Sequence, residues 1–240
     1  MEHKSIPMKP KMILFDVGRT LLDYAEIDTY KGVKALMPYI VENPRNLTAE
    51  EIDQYTNKVF SLFDECRKAL FEVPEQTILA LVYDLLGLKF SISIADIERI
   101  IWNHDSVNIP VPHAKELIDG LNERNIRTAV ISNLDFSGYL LRESLDALYP
   151  GNRFEFVIAS SDYGIRKPHS FIFEAALTKT GLEAKDIWYV GDKVSVDVNG
   201  SKAIGMTPVL FKHFRNTYPE LPDDLIVIGD MLDLLKLITS

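Results

Sequence analysis

Six short apolar runs punctuate this chain: "KMILF", "RTAVIS", "FEFVIAS", "DIWYVG", "TPVLF" and "DLIVI". Each is too short for a helix, and its Val, Ile and Phe favour an extended, buried strand. Between them stand patterns of helical period: "AKELIDGLNERN", "GYLLRESLDALY", "FIFEAALTKTG", "VDVNGSKAIG" and "MLDLLKLI". Strands that are apolar throughout must be covered on both faces, and a repeated strand, helix, strand order supplies that cover when the strands run parallel. With right-handed crossovers, the expected class is α/β, a doubly wound parallel sheet.

The alternation fails once, between residues 23 and 105. There "LTAEEIDQYTNKVFSLFDECRKALF" opens with Thr48 and Glu51 in capping-box spacing. It sets Ile52, Tyr55, Val59, Leu62, Phe63 and Cys66 on one face, as a single helix would. "EQTILALVYDLLG" and "SIADIERIIWNHD" add two more helical patterns, the second with Ser93 as its N-cap. An all-helical domain over residues 23–105 is therefore expected as an insertion, with residues 1–22 and 106–240 forming the sheet-based core.

A hydrophobic content of 47% over 240 residues can fill a sizeable interior. The net charge of -9 is spread along the chain, so no basic stripe invites nucleic acid or anionic lipid, and neither is expected as a partner. Cys66 is the one cysteine, which excludes an intrachain disulfide, fits a reducing compartment and is expected to serve core packing. "MEHKSIPMKPK" lacks the apolar run of a signal peptide, and no stretch approaches the roughly 20 apolar residues that span a bilayer. A cytoplasmic protein is expected, with monomer and homodimer both open.

Ligands of an open parallel sheet collect beyond the carboxyl ends of its strands. Asp16 follows the first strand, and Ser132 and Asn133 follow "RTAVI". Lys167, in "YGIRKPHS", comes after the third strand, and Gly191 and Asp192 end the fourth, with Asp197 about a turn beyond. Singly, such residues cap helices or mark loops. Together they bring a carboxylate, a hydroxyl, a lysine and an acidic pair to one edge.

In this order, "DVGRT", "VISN", "RKP" and "GDKVSVD" resemble the four motifs of the haloacid dehalogenase superfamily, most of whose members are magnesium-dependent phosphatases. The resemblance covers almost the whole chain, and the helical insertion after the first motif is similar to the movable cap of that superfamily over its Rossmann-like core. It implies Asp16 as nucleophile, forming an aspartyl-phosphate, with a small phosphorylated metabolite as substrate. Mg2+ would be held by Asp16, Asp192 and the Gly18 carbonyl, with Asp197 steadying a metal-bound water or Lys167. Lys167 would neutralise charge, while Ser132 and Asn133 would bind phosphate oxygens. Thr20 would fix the first turn, and Arg19 would reach an anionic substrate group or pair with the cap.

One position departs from the pattern. Phosphatases of the superfamily usually carry a second aspartate two places after the nucleophile, which protonates the leaving oxygen and then activates water; here Gly18 stands in its place. A backbone carbonyl can still bind metal, but only a side chain can move the proton. Such proton transfer is worth typically ~10²–10⁴-fold, so turnover is expected to be slow, least so for acidic leaving groups. Asp23 and Asp135 are carboxylates that could substitute through water.

Gly18 also keeps two other readings open. The 2-haloacid dehalogenases lack the second aspartate too, since halide leaves without a proton, but the acidic pair of "GDKVSVD" resembles the phosphatase form of the fourth motif. The other reading is a weakly active or inactive relative that binds phosphorylated ligands. Asn103, His104, Tyr24 and Asp28 stand near the two junctions of the insertion, positions that suit hinge packing or substrate contact.

Overall fold

The computed structural model describes residues 9–24 and 27–239. Ten strands are present among them: β1 (Met12–Phe15), β2 (Leu22–Tyr24), β3 (Ile40–Glu42), β4 (Lys89–Phe90), β5 (Asn108–Pro110), β6 (Arg127–Ser132), β7 (Phe154–Ala159), β8 (Ile187–Gly191), β9 (Thr207–Phe211) and β10 (Ile226–Ile228). Six of them form one sheet in the order β10-β9-β8-β1-β6-β7, and every pairing in it is parallel. The protein is thus α/β with a parallel sheet. All six apolar runs of the sequence are strands of this sheet, because each has the short, continuous hydrophobicity that two covered faces demand.

Side-chain alternation along β1 divides the interior. Ile13 and Phe15 point into a core with Leu117, Leu121, Leu141, Trp188 and Leu234. Met12 and Leu14 point the other way, toward Ile131, Phe173, Ala176 and Tyr189. The covering helices are α6 (Ala114–Glu123), α7 (Gly138–Leu148), α8 (Ser160–Tyr163), α9 (Ser170–Thr180), α10 (Asn199–Ala203) and α11 (Met231–Thr239). Since β1 is central, with β6 on one side and β8 on the other, the chain winds outward in both directions from it. The carboxyl end of β1 therefore lies at the point where strand order reverses, the place where such sheets open a crevice.

The stretch between β2 and β5 is mainly helical: α1 (Thr29–Leu36), α2 (Ala49–Ser61), α3 (Asp64–Lys68), α4 (Glu75–Leu86) and α5 (Ile94–Asp105). It has its own core, in which Val33, Leu36, Ile52, Ile78, Val82 and Ile101 are buried. The antiparallel ribbon β3–β4 adds one small sheet to the helices, and β2 pairs antiparallel with β5 where the chain leaves and re-enters the core. The expected capping box of Thr48 with Glu51 forms, and Ser93 caps its helix as expected, in a capping box with Asp96.

The single helix expected after Thr48 is in fact two. α2 stops at Ser61 and α3 starts at Asp64. Ile52 and Val59 are buried as expected, but Leu62 is 69% exposed and Cys66 is only half-buried. The break serves a tertiary purpose, because it swings residues 70–72 onto the core. There Phe71 bridges Ile165, Glu72 N–H donates to Gly164 O at 3.0 Å, and Arg166 N–H donates to Leu70 O at 2.9 Å. Helical periodicity cannot register such a contact, since the partner lies some ninety residues away.

Candidate active site

Asp16 follows β1 directly, its backbone N–H tied to Val190 O at 2.8 Å, and only 7% of the residue is exposed. The following loop turns back tightly: Thr20 N–H and Leu21 N–H both donate to Val17 O. That turn buries Thr20, whose hydroxyl donates to Asp16 Oδ2 at 3.0 Å. Lys167, fully removed from solvent, donates to Asp16 Oδ1 at 2.6 Å, to Asp197 Oδ1 at 2.8 Å and to the Tyr189 hydroxyl at 2.8 Å. All three ammonium hydrogens are thereby used. Burial by itself pushes Lys167 down, but Asp16 and Asp197 outweigh it and hold the ammonium well above its usual range. Burial drives the Tyr189 phenol well above its usual range, so it stays protonated.

The acidic pair after β8 depends on an unusual turn. Val194–Val198 form a π-helical turn, in which Val198 N–H donates to Lys193 O, five residues back, at 3.3 Å. Such a wide turn accommodates one more residue than an α-helical one. Asp197 on that turn and Asp192 just before it bring their carboxylate oxygens within 4.8 Å of each other. Gly191 is glycine because of close approach: a Cβ there would stand 2.4 Å from Cβ and Cγ of Asp197. Asp197 accepts from Lys193 N–H through Oδ2 at 3.0 Å, so both of its oxygens are engaged within the protein. Asp192 Oδ2 accepts from Asn216 Nδ2 at 2.6 Å. Burial, then the charge of Asp16, raises the Asp192 carboxyl to about 6, and burial also raises Asp197.

Oxygens of Asp16, Asp192 and Asp197 all lie within 4.8 Å of one another. Three buried carboxylates thus face one ammonium, an excess negative charge that is costly to bury unless a cation shares it. The donor set is all oxygen, the kind preferred by hard divalent ions. Gly18 lines the same cleft, and its carbonyl oxygen accepts no hydrogen bond from another described residue.

The cleft has a volume of ≈ 280 Å³. Asp16, Gly18, Ser132, Lys167 and Asp192 line it from the sheet edge, while Tyr24, Trp102 and Asp105 line it from the insertion side. Ser132 is buried at the end of β6, its hydroxyl unengaged by any other described residue. Asn133 is occupied differently: its Oδ1 accepts from Lys167 N–H at 2.7 Å and its Nδ2 donates to Lys167 O at 2.9 Å. Its amide therefore fixes the lysine backbone. Arg19, in left-handed backbone conformation with φ 61, donates through Nη1 to Asn216 Oδ1 at 2.8 Å and lies over the Tyr24 ring.

The remaining sequence candidates are held by other partners or stand at the rim. Asp23 is engaged by His213 and Arg215, and Asp135 pairs with Arg67 at 3.5 Å. His104 Nδ1 bonds Ile100 O in its own helix, and Asp28 pairs with Lys31. Asp23, Asp28, Asn103 and His104 do not line the cleft, whereas Tyr24 and Asp135 do. Three participants escaped the sequence reading. Tyr189 is one aromatic residue inside an apolar strand, Asn216 lies in a loop without a motif, and Asp105 ends an amphipathic helix. None has a local signal that separates it from packing or solvation.

Gly18 is not dictated by its surroundings. Its φ is not positive, and a Cβ would meet only Tyr24 Cε1, at an ordinary 3.8 Å. A side chain would fit, so its absence is a chemical difference and not a steric one.

A parallel sheet whose central strand ends in an acid and lysine cluster, roofed by a helical insertion, defines a class of hydrolases. Residues 13–211 match the haloacid dehalogenase-like hydrolase family, and the chain belongs to it. Glyceraldehyde 3-phosphate phosphatase of Methanocaldococcus jannaschii is 28% identical over 239 residues, covering 94% of this chain and 97% of that protein. Ribulose-1,5-bisphosphate 5-phosphatase of Halopiger xanaduensis is 32% identical over 101 residues, 42% of this chain and 41% of its own. Among solved structures, a 2-haloacid dehalogenase from Pseudomonas syringae pv. Tomato DC3000 superposes with a TM-score of 0.65, covering 96% of this chain and 98% of that one. At 19% identity that likeness shows a shared fold.

Proposed function

We propose that this chain is a magnesium-dependent phosphatase acting on a small phosphorylated metabolite, with residues 23–105 serving as a cap over a core of residues 1–22 and 106–240. The observation that carries the reading is the meeting of Asp16, Asp192 and Asp197 oxygens within 4.8 Å, beside a buried lysine. Relatives named for glyceraldehyde 3-phosphate and ribulose-1,5-bisphosphate support the substrate class.

Asp16 and Asp192, with the Gly18 carbonyl, would hold Mg2+, and Asp197 would anchor a bound water. When bound, the ion supplies charge neutralisation between an anionic nucleophile and an anionic phosphate. Asp16 attacks phosphorus through one carboxylate oxygen, forming an acyl phosphate, and water then hydrolyses it. Thr20 fixes the Asp16 carboxylate by its hydroxyl, which limits rotation during the attack. Lys167 balances charge on Asp16 and on the transferring group, and the unengaged Ser132 hydroxyl donates to a phosphate oxygen. Asn133 acts through Lys167, holding its backbone in place.

Dehalogenation, the competing reading, would leave the acidic cluster without a purpose, since a carboxylate displaces halide without the help of a metal. Inorganic phosphate released from p-nitrophenyl phosphate, with and without Mg2+, tests the proposal. Release that requires Mg2+ and disappears in Asp16→Asn is expected. A folded wild-type protein that releases none at high concentration, or that releases chloride from 2-chloropropionate without metal, would overturn it.

A further inference from the structure

An in-line attack constrains where a proton must be delivered. The leaving oxygen departs opposite the nucleophile, and Asp16 stands at the sheet edge, so that oxygen points at the insertion. The usual donor would project from position 18, which here has no side chain. Two carboxyl groups beyond the acidic cluster line the cleft, Asp105 and Asp135. Asp135 follows Ser132 on the core side, where its carboxylate is held by Arg67. Asp105 is the last residue of α5 and reaches the cleft from the insertion.

The Asp105 carboxyl is also built in. Its Oδ1 accepts from Gly32 N–H at 3.1 Å, and position 32 must be glycine for this, since a Cβ there would lie 2.1 Å from that oxygen. Its backbone carbonyl accepts from Asp28 N–H at 2.8 Å, which fixes the residue at both ends. Oδ2 has no hydrogen-bond partner among the described residues. The residue is only 9% exposed.

We infer that Asp105 is the general acid and base of the reaction, delivering across the cleft the proton that position 18 cannot. This rests on the phosphatase reading. In the first step the Asp105 carboxyl gives its proton to the leaving oxygen as the P–O bond breaks and the Asp16–phosphorus bond forms. In the second, the Asp105 carboxylate takes a proton from the attacking water, a new P–O bond forms, and the bond to Asp16 breaks. The carboxyl ends protonated, as it began.

The electrostatic surroundings suit the role. The ionisable groups around Asp105 are Asp28 before α1, Asp53 on α2, and Glu75 and Tyr83 on α4, with no cation among them. Burial first, opposed by the Gly32 hydrogen bond and helped by Asp53 and Asp28, raises Asp105 to about 7. A group poised there is protonated often enough to donate and ionised often enough to accept.

The test compares wild type, Asp105→Asn, Gly18→Asp and the double variant on glycerol phosphate and p-nitrophenyl phosphate, from pH 5 to 9 with Mg2+. Asparagine keeps the acceptor for Gly32 N–H but carries no transferable proton. Asp105→Asn is expected to lower alkyl phosphate turnover by ~10²-fold or more while aryl turnover falls far less. The decline of alkyl turnover above about pH 7 should vanish with it. Gly18→Asp is expected to restore alkyl turnover in the double variant relative to Asp105→Asn. An equal loss on both substrates with an unchanged pH profile, or a double variant no faster on the alkyl phosphate than Asp105→Asn, would overturn the inference. Phosphate released by wild type from neither substrate would instead overturn the phosphatase reading on which it rests.

Discussion

Asp197 meets Lys167 at 2.8 Å, an ion pair in which neither side chain is more than 2% exposed. Because Lys167 also holds Asp16, it is shared between two buried acids. Replacement Lys167→Met keeps the bulk and removes the charge. Breaking a buried pair in this way costs about 3–5 kcal/mol, and phosphatase activity should be lost with it. Urea unfolding of the variant is expected to show that loss, and added Mg2+ should recover part of it. A stability equal to that of wild type would mean that the carboxylates do not depend on the lysine.

Asn216 joins Arg19 to Asp192, accepting from one and donating to the other. Its hydrogen bond favours the ionised Asp192, which burial and Asp16 push up to about 6. Metal binding requires the carboxylate, so affinity should fall as pH drops through about 6. In Asn216→Ala the fall should begin at higher pH, and Mg2+ affinity near neutrality should be ~10–100-fold weaker. Calorimetric titration with Mg2+ at several pH values reads both effects.

Gly191 leaves no room for a methyl group beside Asp197. In Gly191→Ala either the strand end or the π-helical turn must shift, at a cost of about 1–3 kcal/mol for overpacking. Loss of activity beyond the loss of folded protein is expected, since Asp197 and Lys167 move together. A thermal melt alongside the phosphatase assay separates the two contributions.

Asp105 makes a statement about stability that does not involve turnover. Its folded carboxyl sits at about 7 against an ordinary 3.8, so the folded state binds the proton more tightly. The stability this contributes is full below the ordinary value and is lost as pH rises through about 7. Asparagine does not ionise, so Asp105→Asn should gain in melting temperature relative to wild type between pH 5 and pH 8. A constant difference across that range would mean that the buried charge is tolerated.

The sheet was legible because its cause is local. Runs such as "RTAVIS" and "DIWYVG" are apolar over a strand's length, and both became strands over nearly those residues. Asp16, Ser132, Lys167 and Asp192 could be singled out for a related reason, since the ends of parallel strands are where polar groups collect. The exposed Leu62 and the break after Ser61 were hidden, as they answer to residues 164–166 across the molecule.

Local pattern, then, determined the class of fold, its helical insertion and the four segments that carry acid, hydroxyl and lysine. Tertiary structure alone decided that Tyr189 and Asn133 steady Lys167, that Asn216 steadies Asp192, and that Asp105 faces the cleft. Hydrophobic period is written in neighbours along the chain. A hydrogen bond or a buried charge depends on residues far apart in sequence, and it exists only once the packed elements bring them within about 3 Å.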